Sequence, residues 1–167
     1  MLIQNRILTS MQTIIVIVAA YSCGFYFTEM FHEPTSFVGG LWAVISGIIV
    51  FEITAIGTLQ SAKTRIIGTF TGALISGVYL ILFPFSIIGY GITIAIGVLI
   101  CYIFKIQNSI KLTSITISVV LIVSTIENEL HPFMNAGLRF AESAIGIGIA
   151  LLVAYSTQYL NKAISKT

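Results

Sequence analysis

Residues 37–59 read FVGGLWAVISGIIVFEITAIGTL. One charged side chain, Glu52, interrupts an otherwise uncharged apolar run. A helix needs about 20 mostly apolar residues to cross a hydrocarbon core, so the run reads as a membrane span. Outward from it, further apolar runs fall at about 12–31, 65–83, 86–104, 110–126 and 138–159, each bounded by a charge, a Pro or a polar cluster. The mean hydropathy is +1.03 and only 8% of residues are charged, against roughly 25% in a soluble domain. Such a surface must face lipid. Ile, Val and Thr are abundant, but the polar/apolar alternation over about 10 residues that marks a membrane β-strand is missing. The expected fold is therefore an all-α integral membrane protein of six transmembrane helices, one domain over residues 1–167 with no soluble domain. The first run has a signal-peptide outline, with Arg6 ahead of it and Ala20-Tyr21-Ser22 as a cleavage site. Apolarity continues through Phe25-Tyr26-Phe27, however, which favours an uncleaved first span.

Basic residues orient the helices. With the N-terminus in the cytoplasm, the inner segments 1–11, 60–65, 105–111 and 160–167 hold Arg6, Lys63, Arg65, Lys105, Lys111, Lys162 and Lys166, seven of the eight Lys and Arg. The outer loops hold Glu29, His32, Glu33, Glu127, Glu129 and His131. This is the positive-inside pattern with both termini cytoplasmic, and Arg139 is its one exception. Pairing residue n with n+74 sets Arg65 on Arg139, Ala62 on Ala136 and Gly72 on Gly146. Two three-helix halves must lie in opposite orientations, so the similarity predicts a 3+3 inverted-topology repeat, a building plan of transporters.

Small residues recur at four-residue spacing: Gly39, Ala43 and Gly47; Gly68, Gly72 and Ser76; Gly146, Ala150 and Ala154. In lipid such faces bring helices together, which assigns them to packing. Charge within a span is costly and faces a partner or a cavity. Glu52, with Thr54 nearby, reads either as a packing carboxylate or as a pathway group. Arg139 and Glu142 stand one turn apart and either pair with each other or leave Arg139 to receive an anion; a guanidinium stays charged and offers a bidentate fork to carboxylates. Arg65 reads as an inner-surface anchor or as a second anion contact. Thr113, Thr116, Ser124 and Glu127 share one face of the fifth helix, suited to a wet path or to helix–helix hydrogen bonds. His32 with Glu29 and Glu33, and His131 with Glu127 and Glu129, show no metal-ligand spacing, so no metal and no cofactor is expected. No catalytic set, phosphate loop or nucleic-acid surface is visible, and the chain does not read as an enzyme.

Two stretches carry a family resemblance. Residues 42–76, WAVISGIIVFEITAIGTLQSAKTRIIGTFTGALIS, resemble the second-to-third helix signature of the fusaric acid resistance/aromatic acid exporter superfamily at Trp42, Ala43, Val44, Val50, Thr54, Thr58, Leu59, Arg65, Gly68, Thr69, Gly72 and Ala73. The Phe51-Glu52 pair looks most like the plant aluminium-activated malate transporters. Residues 136–153, AGLRFAESAIGIGIALLV, are similar to the family's sixth helix at Ala136, Arg139, Phe140, Glu142, Gly146, Ile147 and Ala150. Many bacterial relatives have Pro at the position of Ile53 and Gly at that of Ile56, which puts a local helix break there in question. They also usually carry a large cytoplasmic domain or a second copy of the module.

The resemblance implies a six-helix module, at least dimeric, that moves organic or aromatic carboxylates. The expectation is a homodimer or higher homo-oligomer in the bacterial inner membrane that exports a small organic anion. Arg139 and Arg65 would attract the carboxylate, Glu52, Thr54 and Glu142 would line or gate the path, and Trp42 and Phe51 would wall an aromatic ring. The rival reading is a non-transporting membrane subunit that docks a partner protein.

Overall fold

The computed structural model describes residues 2–127 and 130–164, with side chains from 7 to 127 and from 130 to 160. Among them are six α-helices and no strand: α1 (Leu2–Glu29), α2 (Ser36–Val50), α3 (Ala55–Leu82), α4 (Ile87–Ile103), α5 (Ile110–Ile126) and α6 (Pro132–Ile164). Five are long and apolar enough to cross a membrane, α2 and α5 together with the 3-10 turns Glu33–Thr35 and Gln107–Ser109 that lead into them; α4, with 17 residues and no such turn before it, falls short. Arg6, Glu129, Lys162 and Lys166, which enter the charge-based topology, lie outside the described side chains.

The quoted run is not one helix. It breaks at residues 51–54: α2 stops at Val50 instead of 59, and α3 starts at Ala55 instead of 65. Hydropathy does not register the break because the groups that make it are hydroxyls. The Phe51 N–H closes α2 on the Gly47 carbonyl at 2.9 Å. Thr54 caps α3, its Oγ1 accepting the Gly57 N–H at 3.1 Å. The wholly buried Thr58 hydroxyl accepts the Glu52 N–H at 3.1 Å and stands 3.2 and 3.0 Å from the carbonyls of Glu52 and Thr54, to which it donates. Non-helical backbone near lipid persists only when its polar groups are satisfied internally, and Thr54 and Thr58 do this without a proline.

Contacts divide the chain into two compact units, 1–63 with 142–167, and 64–141. In the first, Val16, Val50, Ala62, Ile147 and Ala150 form the apolar core, with Phe51, Leu151 and Val153 against it. α2 and α6 touch backbone to backbone there: a Cβ on Gly146 would collide with the Ala43 carbonyl oxygen and stand 2.9 Å from the Gly47 nitrogen. In the second, Ala73, Val120 and Ala136 form the core, flanked by Leu80 and Phe140. Its polar ties are Ser109 Oγ to the Thr64 carbonyl (3.0 Å), Asn135 Nδ2 to the Val120 carbonyl (2.9 Å) and the Tyr90 and Ser118 hydroxyls (2.7 Å). One interval recurs in the element order. α1 ends at 29 and α4 at 103, the 3-10 turns start at 33 and 107, and α2 and α5 start at 36 and 110, each pair 74 residues apart.

α4 ends in a Schellman turn, Ile106 N–H to the Cys101 carbonyl at 2.8 Å and Lys105 N–H to that of Tyr102 at 3.1 Å. Lys105 takes the left-handed conformation, φ 56°, that usually goes to glycine.

Candidate functional site

Arg65 and Arg139 are both 0% exposed and both belong to the second unit. Burying Arg65 fits poorly with a surface anchor, a role left to the exposed Lys63 two residues earlier. Arg65 shares its helix face with Thr69, four residues on and also wholly buried. Arg139 shares its face of α6 with Asn135, Glu142, Ser143 and Gly146, at spacings of three and four; all of these are buried.

The first unit holds the buried acid. Glu142 is 0% exposed, and Thr28 Oγ1 on α1 donates to its Oε1 at 2.6 Å. Gly39 on α2 makes the room: a Cβ there would overlap the Thr28 hydroxyl and come within 2.8 Å of Glu142 Oε1. One residue along, Ser143 meets Ser46 of α2 at 3.0 Å, and Ser46 also donates to the Trp42 carbonyl at 2.8 Å. Helices α1, α2 and α6 thus join through a carboxylate and hydroxyls as well as through small residues.

Glu52 and Thr54 are elsewhere. Both are exposed in the break between α2 and α3, so the carboxylate expected inside the second span lies at its end. Trp42 is 3% exposed within α2, and Phe51 packs on the core of the first unit. Gly39, Ala43, Gly47 and Gly146 all sit at close α1–α2 or α2–α6 approaches, while Gly68 and Gly72 face α5, where added Cβ atoms would stand 2.6 Å from Leu112 Cβ and 2.7 Å from the Thr113 carbonyl. On α5, Thr116 and Ser124 donate to carbonyls of their own helix, of Leu112 and Leu121. Thr28, Asn135, Ser46 and Ser143 were not singled out by sequence. The three- and four-residue spacing from Arg139 marks Asn135, Glu142 and Ser143; nothing local marks Thr28.

The second unit also has an open pocket of about 180 Å³ between α3 and α6, walled by Phe70, Phe133 and Phe140 over Ala73 and Ala136, with the rings of Phe70 and Phe140 edge to face at 5.8 Å.

A chain of apolar helices that buries two arginines and a carboxylate is a multi-pass membrane protein with charge held away from its surface. Residues 23–153 match the family model described as fusaric acid resistance protein-like, and the chain belongs to that family. The resemblance seen in residues 42–76 and 136–153 is thereby borne out. No curated protein and no solved structure matches the chain. The family points to a membrane transporter of the efflux kind.

Proposed function

We propose that the protein carries small organic or aromatic carboxylate anions out of the cell, across a bacterial inner membrane. The observation that carries this reading is the match to the fusaric acid resistance protein-like family over residues 23–153, with Arg65 and Arg139 both wholly buried. A guanidinium stays charged, and its fork matches the geometry of a carboxylate. An inside-negative potential drives a monoanion outward by about 2.3 kcal/mol per 100 mV, so a conduit suffices for efflux. The reading includes a 3+3 inverted repeat with both termini cytoplasmic; the 74-residue interval between element boundaries and the burial of both paired arginines support it. It also includes a homodimer or higher homo-oligomer. Gly137 and Gly148 on α6 have open space beside them, a surface on which helices approach closely in lipid.

Benzoate efflux from proteoliposomes tests the reading. Arg139→Ala is expected to cut the flux at least about tenfold, Arg139→Lys to retain part of it, and Lys63→Ala to leave it near wild type. Unchanged flux in both Arg139→Ala and Arg65→Ala would refute the anion role. No flux in the wild type, together with a co-purifying partner chain, would favour a non-transporting subunit instead.

A further inference from the structure

Among the described residues, Lys105 alone takes a positive φ, 56°, without being a glycine. A Cβ is disfavoured there, and glycine usually fills the position that closes a Schellman turn. The turn is held from both sides. The Ile106 N–H meets the Cys101 carbonyl at 2.8 Å, and the buried Ser109 ties the 3-10 turn that follows, Gln107–Ser109, to the Thr64 carbonyl of α3 at 3.0 Å. Backbone strain that the surroundings hold in place clusters where a side chain has a use. Lys111, in the first turn of α5, also stands against local preference, since the start of a helix is its positive end. Both lysines are exposed. The sequence has no Asp or Glu between Glu52 and Glu127, so the α4–α5 hairpin supplies no carboxylate of its own to either.

These cations adjoin apolar surface. Tyr102, Ile103 and Phe104, which lead into Lys105, are each more than half exposed. Gln107 and Asn108, just after it, are exposed too and add amide donors. A free phosphate would satisfy the lysines and leave the apolar surface bare, whereas a phospholipid covers both. We infer that the turn between α4 and α5 binds the headgroup of an anionic phospholipid, with Tyr102, Ile103 and Phe104 against its acyl chains. The length of α4 suits this. Its 17 residues rise about 25 Å, short of a hydrocarbon core of about 30 Å, so an α4 that crosses ends close to where acyl chains meet headgroups. From that depth a lysine stem stays in the apolar layer while its ammonium reaches phosphate, and aromatic side chains favour the same boundary. The lipid is held there whether or not the protein moves anions.

Native mass spectrometry of the full chain in a neutral detergent, titrated with phosphatidylglycerol or phosphatidylcholine, counts bound lipid and gives its affinity. Each basic residue near an anionic surface is worth a factor of about five, so the wild type is expected to prefer phosphatidylglycerol by about 25-fold. Lys105→Asn and Lys105→Gly should each lose about fivefold, Lys111→Ala in addition about fivefold more, and Lys105→Arg close to nothing. Asn and Gly both suit a left-handed residue, so these variants keep the turn and the loss reports the charge. Lys105→Gly is thus expected to be the more stable protein in detergent and the weaker binder of lipid. Equal affinity for the two lipids, or wild-type affinity in Lys105→Asn, overturns the site. Displacement of the lipid by inorganic phosphate alone overturns the lipid in favour of a bare anion. Loss of self-association in Lys105→Asn with phosphatidylglycerol binding intact overturns it in favour of a second copy of the chain.

Discussion

Gly146→Ala puts the packing of the first unit to its most direct test. The added Cβ would meet three backbone atoms of α2, the carbonyl oxygen and carbon of Ala43 and the nitrogen of Gly47, the latter two at 2.9 Å. Carbon contacts relax at about 3.5–4.0 Å, and backbone atoms cannot swing aside as a side-chain tip can. α2 and α6 must therefore separate, at a cost of about 1–3 kcal/mol. Lipid offers no hydrophobic force to press them together again. Gly148→Ala is the internal control, since it lies two residues on along the same helix with nothing within 4 Å of the new methyl. Both variants gain the same helix-propensity benefit of about 0.5–1 kcal/mol, so the difference between them isolates the collision. Trp42, the single tryptophan, is 3% exposed and precedes Ala43 on α2. Its emission during denaturant titration in mixed micelles reports both stability and separation. A Gly146→Ala protein as stable as Gly148→Ala, with unshifted Trp42 emission, would refute the close α2–α6 contact.

Two further substitutions probe the turns. Lys105→Gly relieves a left-handed lysine and is expected to raise stability by about 1 kcal/mol in the same titration. Thr58→Val removes the hydroxyl that satisfies Glu52 and Thr54 backbone groups and should cost about 1–3 kcal/mol, whereas Thr58→Ser should be near neutral; equal stability of the two would show that the break does not need the hydroxyl.

The helices were legible because lipid enforces a length and an apolarity that hydropathy reads well, as the run that became α5 illustrates. The break after Val50 was hidden because hydropathy counts side chains, while Thr54 and Thr58 act on the backbone. Arg139 stood out as a charge on the wrong side of the membrane, and Arg65 through its spacing from Arg139. The burial of Arg65 was not legible, since a basic residue beside Lys63 looks like any surface anchor. Glu52 drew attention as a charge in a long apolar run, yet the exposed turn that holds it lowers its cost. Thr28 was out of reach altogether. It matters through Glu142, 114 positions away in the chain, and a threonine in an apolar helix is unremarkable until its neighbour is known.

α4, which unlike α2 and α5 is not lengthened by a 3-10 turn before it, has a consequence for the solvent as well as for the protein. Its 17 residues rise about 25 Å, less than the roughly 30 Å of an average hydrocarbon core. Ile87, Ile92, Ile96, Leu99 and Ile103 are all exposed along it. For α4 to cross, the acyl chains beside it must shorten or splay, at fractions of a kcal/mol per ångström. The protein would then carry a local dimple in the bilayer, and shorter-chain lipids would gather at that wall.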